Sequence, residues 1–151
     1  MDIKQYEKEN LPLLEKILQE FKEEDNEKKW FSDWYKNPKL LTNHRRKMFV
    51  AIDKGQMAGF IVGQPRSISV YKVFFLYVSP KYRGQRVAKA LKNALVDYAV
   101  SEHYEAITSY AHIENTPSVG LNKRLGWEQK KFKSQGEEYI AFTLNLLNRN
   151  P

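Results

Sequence analysis

The segment Arg83-Gly84-Gln85-Arg86-Val87-Ala88 combines basic side chains with a glycine at a place where the chain pattern changes. Before it, Ser69–Val78 is rich in Val, Tyr and Phe, the composition of a strand. After it, Val87, Leu91, Leu95 and Tyr98 recur at helical spacing as far as about Ser101. A strand, a glycine loop and a helix in that order can bind an anion. The first helical turn leaves backbone amides unpaired, and the helix dipole adds partial positive charge there. Gly84 removes a side chain that would hold a ligand away from the backbone, and Arg83, Arg86 and Lys89 add formal charge, with Lys81 nearby in sequence. A pyrophosphate suits such a loop. The same residues would also serve as a plain connection with exposed basic side chains, and the local pattern does not decide between the two.

The elements that must position this loop are legible from periodicity and turn residues. Asp2–Tyr6 reads as a short strand. Asn10 reads as a helix N-cap, with Leu13, Leu14, Ile17, Leu18 and Phe21 on one face. A second helical patch, Glu27–Lys36, carries Trp30, Phe31, Trp34 and Tyr35 and closes at Asn37-Pro38. Met48–Asp53 and Met57–Gly63 flank Lys54-Gly55-Gln56 as a β-hairpin. Downstream come a strand at Glu105–His112, a short helix at Thr116–Leu125 stopped by Gly126, and two strands, Glu128–Lys133 and Glu138–Leu147. The expectation is an α/β chain, one domain over residues 1–151, with a central sheet flanked by helices.

Composition narrows the functions that such a fold can have. With 42% hydrophobic and 28% charged residues, the 151-residue chain is too apolar to be disordered. It has no cysteine, which excludes a thiolate metal site and a cysteine nucleophile and suits a reducing, cytoplasmic setting. No metal site is expected. Met1–Tyr6 lacks the pattern of a signal peptide, and no apolar run is long enough for a bilayer, so no membrane partner is expected. Residues 1–36 hold ten acids and seven lysines, so the net charge of +7 lies wholly in the rest of the chain. A basic body suits an anionic partner, although Asn43-His44-Arg45-Arg46-Lys47 is no nucleic-acid motif and reads as a solvated loop.

Val78-x-Pro80-x-Tyr82-Arg83-Gly84-Gln85-x-Val87-Ala88-x-x-Leu91 resembles the acetyl-CoA loop of the GCN5-related N-acetyltransferase (GNAT) superfamily. That signature is Gln/Arg-x-x-Gly-x-Gly/Ala after a strand ending in Val-x-Pro. The second hallmark, an Asn followed by a short helix ending in Leu-Gly-aromatic, is matched by Asn115-Thr116-Pro117-Ser118 and Leu125-Gly126-Trp127. Two departures stand out. Arg86 occupies the place of the inner glycine, and Asn122 stands where many members carry a tyrosine that protonates the departing sulfur.

The resemblance implies transfer of an acetyl group from acetyl-CoA to a primary amine, by direct attack in a ternary complex. It also implies the fold, a mostly antiparallel sheet flanked by helices. Arg83, Gly84, Gln85, Arg86, Val87, Ala88 and Lys89 would take the pyrophosphate. The backbone of Leu76, Tyr77 and Val78 would pair with pantetheine and stabilise the oxyanion, while Asn115 and Asn122 would contact the pantetheine arm or thiol. A primary ammonium has a pKa of about 10, so a base is needed, and Glu114 leads the candidates for acid or base ahead of His112, Tyr110 and Tyr77. Loss of the tyrosine is tolerable because a thiol leaving group has a reference pKa of about 8.5. The acceptor side would include Trp30, Trp34 and Tyr35, where rings beside acids suit a cationic amine. The alternative is a relative that binds acyl-CoA without turnover. By family analogy, a homodimer is a further expectation.

Overall fold

The computed structural model describes residues 1–24, 37–42 and 45–149. Seven strands, β1 (Asp2–Gln5), β2 (Lys47–Asp53), β3 (Gln56–Pro65), β4 (Val70–Val78), β5 (Ala106–His112), β6 (Glu128–Ser134) and β7 (Glu137–Asn145), lie in one sheet in the order β1-β2-β3-β4-β5-β7-β6. The helices among the described residues are α1 (Leu11–Glu24), α2 (Val87–Ser101) and α3 (Thr116–Arg124). β4 and β5 run parallel, whereas β1–β2, β2–β3, β5–β7 and β6–β7 are antiparallel. This is the mixed α/β class, with a mostly antiparallel sheet flanked by helices, that the sequence predicts. The aromatic patch with Trp30, Phe31, Trp34 and Tyr35 falls outside the described residues.

The chain divides into two compact units, Met1–Gln64 with Phe75–Leu95, and Pro65–Phe74 with Val96–Pro151. In the first, the β2–β3 hairpin turns on Lys54 and Gly55, both in the left-handed region (φ 50° and 78°), as a two-residue primed turn requires. A register shift between Ala51 and Ile52 marks a bulge. α1 buries Leu14, Ile17, Leu18 and Phe21, and the Phe21 ring meets Phe75 and Tyr77 edge-on at 5.3 and 5.0 Å. Such pairs add about 1 kcal/mol each beyond their buried area. The entry to α1 differs from the sequence expectation. A 3-10 turn over Lys8–Asn10 precedes it, and Asn10 accepts a hydrogen bond from the Glu7 amide at 2.9 Å, looking backward along the chain.

In the second unit, β7 lies between β5 and β6, antiparallel to both, and the β6–β7 hairpin turn again uses two left-handed residues, Gln135 and Gly136 (φ 52° and 80°). The buried face holds Ile107, Ala111, Ile140 and Phe142. Tyr71 packs there between Tyr98 and Tyr104, with ring centroids 5.7 and 5.0 Å away. α2 and α3 both stop with Schellman geometry. Tyr104 and Trp127 donate to the carbonyls of Ala99 and Asn122 at 3.0 and 3.2 Å, while His103 and Gly126 take positive φ. The Leu125-Gly126-Trp127 motif is therefore a helix stop that turns the Trp127 ring inward, where it is buried.

Candidate functional site

In the first unit, β4 ends at a tightly held corner. The Ser79 amide donates to the Ala58 carbonyl at 2.8 Å and its hydroxyl to Glu20 Oε2 at 2.8 Å. Gly59 makes this approach possible, since a Cβ there would stand 2.7 Å from the Tyr77 carbonyl oxygen. Pro80–Tyr82 form one 3-10 turn, after which Arg83 is extended and Gly84 takes φ +80°. Arg86 follows at φ +63°, a conformation that costs a side-chain-bearing residue on the order of 1–2 kcal/mol. The turn needs the left-handed region whatever residue fills it, which accounts for the glycine at this place in the signature that the loop resembles. The Arg86 side chain is exposed.

The first hydrogen bond of α2 runs from the Ala90 amide to the Arg86 carbonyl at 3.1 Å. Among the described residues, no acceptor meets the amides from Gly84 to Lys89. Alternating left- and right-handed residues ahead of a helix converge amides into an anion-binding nest, and the dipole of a 15-residue helix reinforces it. Among the described residues, no side-chain acceptor meets the first turn of this helix.

The side chains around the nest divide by task. Arg83, expected from the sequence at the phosphate, is engaged within the protein. It reaches Glu24, the last residue of α1, at 2.6 Å, and its Nε donates to the Val78 carbonyl at 3.2 Å. Its guanidinium also lies 5.6 Å from the Tyr77 ring centroid. The hydrogen bond with Glu24 raises its pKa further above an already high value. Lys81 donates to Gln56 at 2.6 Å, and Gln85 to the Lys81 carbonyl at 3.2 Å. Arg86 and Lys89 are exposed cations beside the open amides. Tyr77 is a core side chain, 5% exposed, whereas the side chains of Leu76 and Val78 are half-buried. Val87 is buried and begins the helix; Ala88 is half-buried.

One turn into α2, Lys92 is 2% exposed, and burial pushes its ammonium down to about 7. Sequence reasoning passed over it because a lysine in a helical run reads as surface.

In the second unit, the strand–helix junction after β5 gathers His112, Glu114 and Asn115. β5 ends at His112, so the strict alternation of side chains stops between His112 and Glu114. The His112 ring accepts the Glu114 amide at Nδ1 (3.1 Å), and its Nε2 faces Glu137 Oε2 at 3.0 Å. That pair of bonds fits a neutral imidazole carrying its proton on Nε2. Glu114 itself is exposed. Asn115 caps α3: its Oδ1 accepts the Ser118 amide at 3.4 Å, and its carbonyl accepts Val119 at 3.0 Å. Asn122 is fully buried, with an exposure of 0%. Glu20, Glu24, Ser79 and Glu137 are partners that the sequence did not single out, because their roles depend on contacts remote in the chain. The described residues contain no group of acids or histidines suited to a metal ion and no helix long and apolar enough to cross a membrane.

The model of the Acetyltransferase (GNAT) family matches residues 11–127. An uncharacterised N-acetyltransferase of Methanocaldococcus jannaschii is 27% identical over 109 residues, which cover 68% of this chain and 46% of that protein. The match thus spans about half the length of that relative. Among solved structures, an aminoglycoside 6′-N-acetyltransferase complexed with coenzyme A superposes with a TM-score of 0.82 at 16% identity, over 97% of this chain and 98% of that one. The ribosomal-protein-S18-alanine N-acetyltransferase of Escherichia coli gives 0.75 at 20% identity, over 95% and 92%. At such identities the likeness is one of fold.

Proposed function

Because the chain belongs to the Acetyltransferase (GNAT) family, we propose that residues 1–151 act as one N-acetyltransferase domain that moves the acetyl group of acetyl-CoA to a primary amine. The observation that carries this reading is the run of amides from Gly84 to Lys89 without acceptors, ahead of α2 and beside Arg86 and Lys89. A nest of that kind takes a pyrophosphate without requiring any side chain to move. The coenzyme A bound by the aminoglycoside 6′-N-acetyltransferase is in keeping with it. A chain without cysteine suits the reducing cytoplasm.

The residues then take distinct roles. Gly84 to Lys89 hold the pyrophosphate through backbone amides, and Arg83 sets the loop by tying it to Glu24. The backbone of Leu76–Val78 pairs with the pantetheine arm and presents an amide to the oxyanion. Tyr77 supports that strand from the core, and its buried ring supplies no acid. Asn115 shapes the start of α3 and contacts the arm. Glu114 removes the amine proton, directly or through water, from a backbone position that His112 fixes.

A second reading, acyl-CoA binding without turnover, draws on Asn122. An amide cannot protonate a leaving sulfur, and this one has no exposure.

Gly84→Asp tests the assignment. It places a carboxylate against the phosphates and a side chain at φ +80°, so acetyl-CoA affinity by calorimetry should fall by about 100-fold or more. An unchanged Kd rejects the loop assignment. Thiol release from acetyl-CoA with a panel of amines separates the two readings: binding without release from any amine supports the second.

A further inference from the structure

The first unit holds a pattern of charge that neither of its helices needs for itself. Acids crowd the C-terminal end of α1 at Glu20, Glu23 and Glu24, with Lys22 the basic residue of the last turn. Cations crowd the loop ahead of α2 at Lys81, Arg83, Arg86 and Lys89. Each group repels itself, and the second also opposes the dipole of the helix that it precedes.

Contacts across the unit answer the pattern. Glu20 and Glu24 stand four residues apart on one face of α1. Glu20 Oε2 accepts the Ser79 hydroxyl at 2.8 Å, and Glu24 Oε1 accepts the Arg83 guanidinium at 2.6 Å. Ser79 enters the 3-10 turn Pro80–Tyr82 and Arg83 leaves it, so the two carboxylates bracket that turn. Between them, Lys81 donates to Gln56 at 2.6 Å, tying the turn to β3. The open amides begin at Gly84, one residue beyond the second tie. Arg83 is held three ways, by Glu24, by the Val78 carbonyl at 3.2 Å and over the Tyr77 ring at 5.6 Å. Arg86 and Lys89 have no ion pair among the described residues. Glu23 accepts from Gln19 within its own helix at 3.4 Å.

We infer that Glu20 and Glu24 are positioning residues for the acyl-donor site, holding the loop so that the amides from Gly84 to Lys89 converge before the ligand arrives. The inference rests on the pyrophosphate assignment above and adds the residues that pre-organise it. Charge alone predicts the opposite sign. An acid near a pyrophosphate repels it, so removing the acid would tighten binding. Under positioning, removing the acid weakens binding, because ordering the loop then opposes it.

Calorimetry with acetyl-CoA decides between the two signs. Glu24→Gln, at an exposed position, should weaken Kd about twofold to fivefold. Arg83→Gln should weaken it by a similar factor, and the double substitution by no more than either alone, since all three remove one link. Ser79→Ala, Glu20→Ala and their combination should repeat that pattern about the 2.8 Å hydrogen bond. The ligand-free protein supplies a readout that a loss of stability would not move. In Glu24→Gln the amide NMR signals of Gly84 to Lys89 should shift, while Tm stays within about 2 °C of the parent. A Kd that is unchanged or tighter in Glu24→Gln overturns the inference and returns Arg83 to the phosphate. So does a Kd that weakens while those amide signals stay in place. A parent that does not bind acetyl-CoA rejects the pyrophosphate assignment instead. The ligand-free signals of Glu24→Gln then still show whether α1 holds the loop.

Discussion

Two helices of this protein begin within a few residues of a family motif, and their first turns are completed in opposite ways. At α3 every backbone donor is used. Glu114 donates to the His112 ring, Asn115 to the His112 carbonyl, Thr116 to Glu114, Ser118 to the Asn115 side chain and Val119 to the Asn115 carbonyl. Pro117 has no donor to satisfy. At α2 the amides from Gly84 to Lys89 find no acceptor among the described residues, and the surrounding side chains are cationic, the wrong sign for a helix N-terminus. Local structure alone would favour an acid or a serine there. The contrast separates a terminus finished by its own chain from one whose donors stay open, and under the proposed function it is the second that gains when an anion arrives.

α2 carries a further destabilising feature one turn on. Lys92 is buried, with its ammonium depressed to about 7 from an ordinary 10.5. The linkage follows from the direction of that shift. Below about pH 7 the buried amine is charged and its destabilising effect is complete. Between about 7 and 10.5 the unfolded chain holds a proton that the folded chain has released, so stability from this group rises with pH. Lys92→Met should change Tm more favourably at pH 6 than at pH 9.5, flattening the slope of stability against pH. Equal shifts at both pH values would show that Lys92 keeps its charge when folded.

Removing the finished cap should cost less. Asn115→Ala leaves the Ser118 amide without its acceptor and should lower stability by about 1 kcal/mol in urea unfolding. Asn115→Asp should restore it, because a carboxylate caps as well as an amide does. Those two variants also sharpen the assignment of Asn115. If it serves only as a cap, acetyl-CoA Kd follows stability and recovers in the aspartate variant. If its amide donates to the pantetheine arm, the aspartate variant stays impaired although it folds as well as the parent.

The two regions were unequally legible in the sequence. Gly84 and Gly126 announced their turns because left-handed backbone leaves few residue choices, and Val87–Ser101 was delimited by its periodicity. The hairpin turns at Lys54-Gly55 and Gln135-Gly136 followed from the same backbone rule. The ion pair of Arg83 with Glu24 was not legible, because the two lie 59 residues apart and no local pattern joins them. Ser79 and Glu20 are equally remote. Asn10 was assigned the right kind of role and the wrong direction, since a capping side chain can face either neighbour.

Arg86 gives the finest test of the open terminus. At φ +63° an arginine is strained where glycine is not, so Arg86→Gly should relieve up to about 1 kcal/mol, offset in part by the greater freedom of glycine in the unfolded chain. A rise in Tm of about 1–2 °C is expected in the ligand-free protein. The nest amides persist in the variant, so acetyl-CoA should still bind, with Kd weakened about twofold to threefold at low salt by the loss of one exposed cation. That difference should vanish at high salt, where screening has already removed the cation's contribution. A loss of binding that persists at high salt would instead mean that the Arg86 side chain, and not the backbone it strains, holds the phosphate. The open terminus would then resemble α3 after all, a structure completed by a side chain.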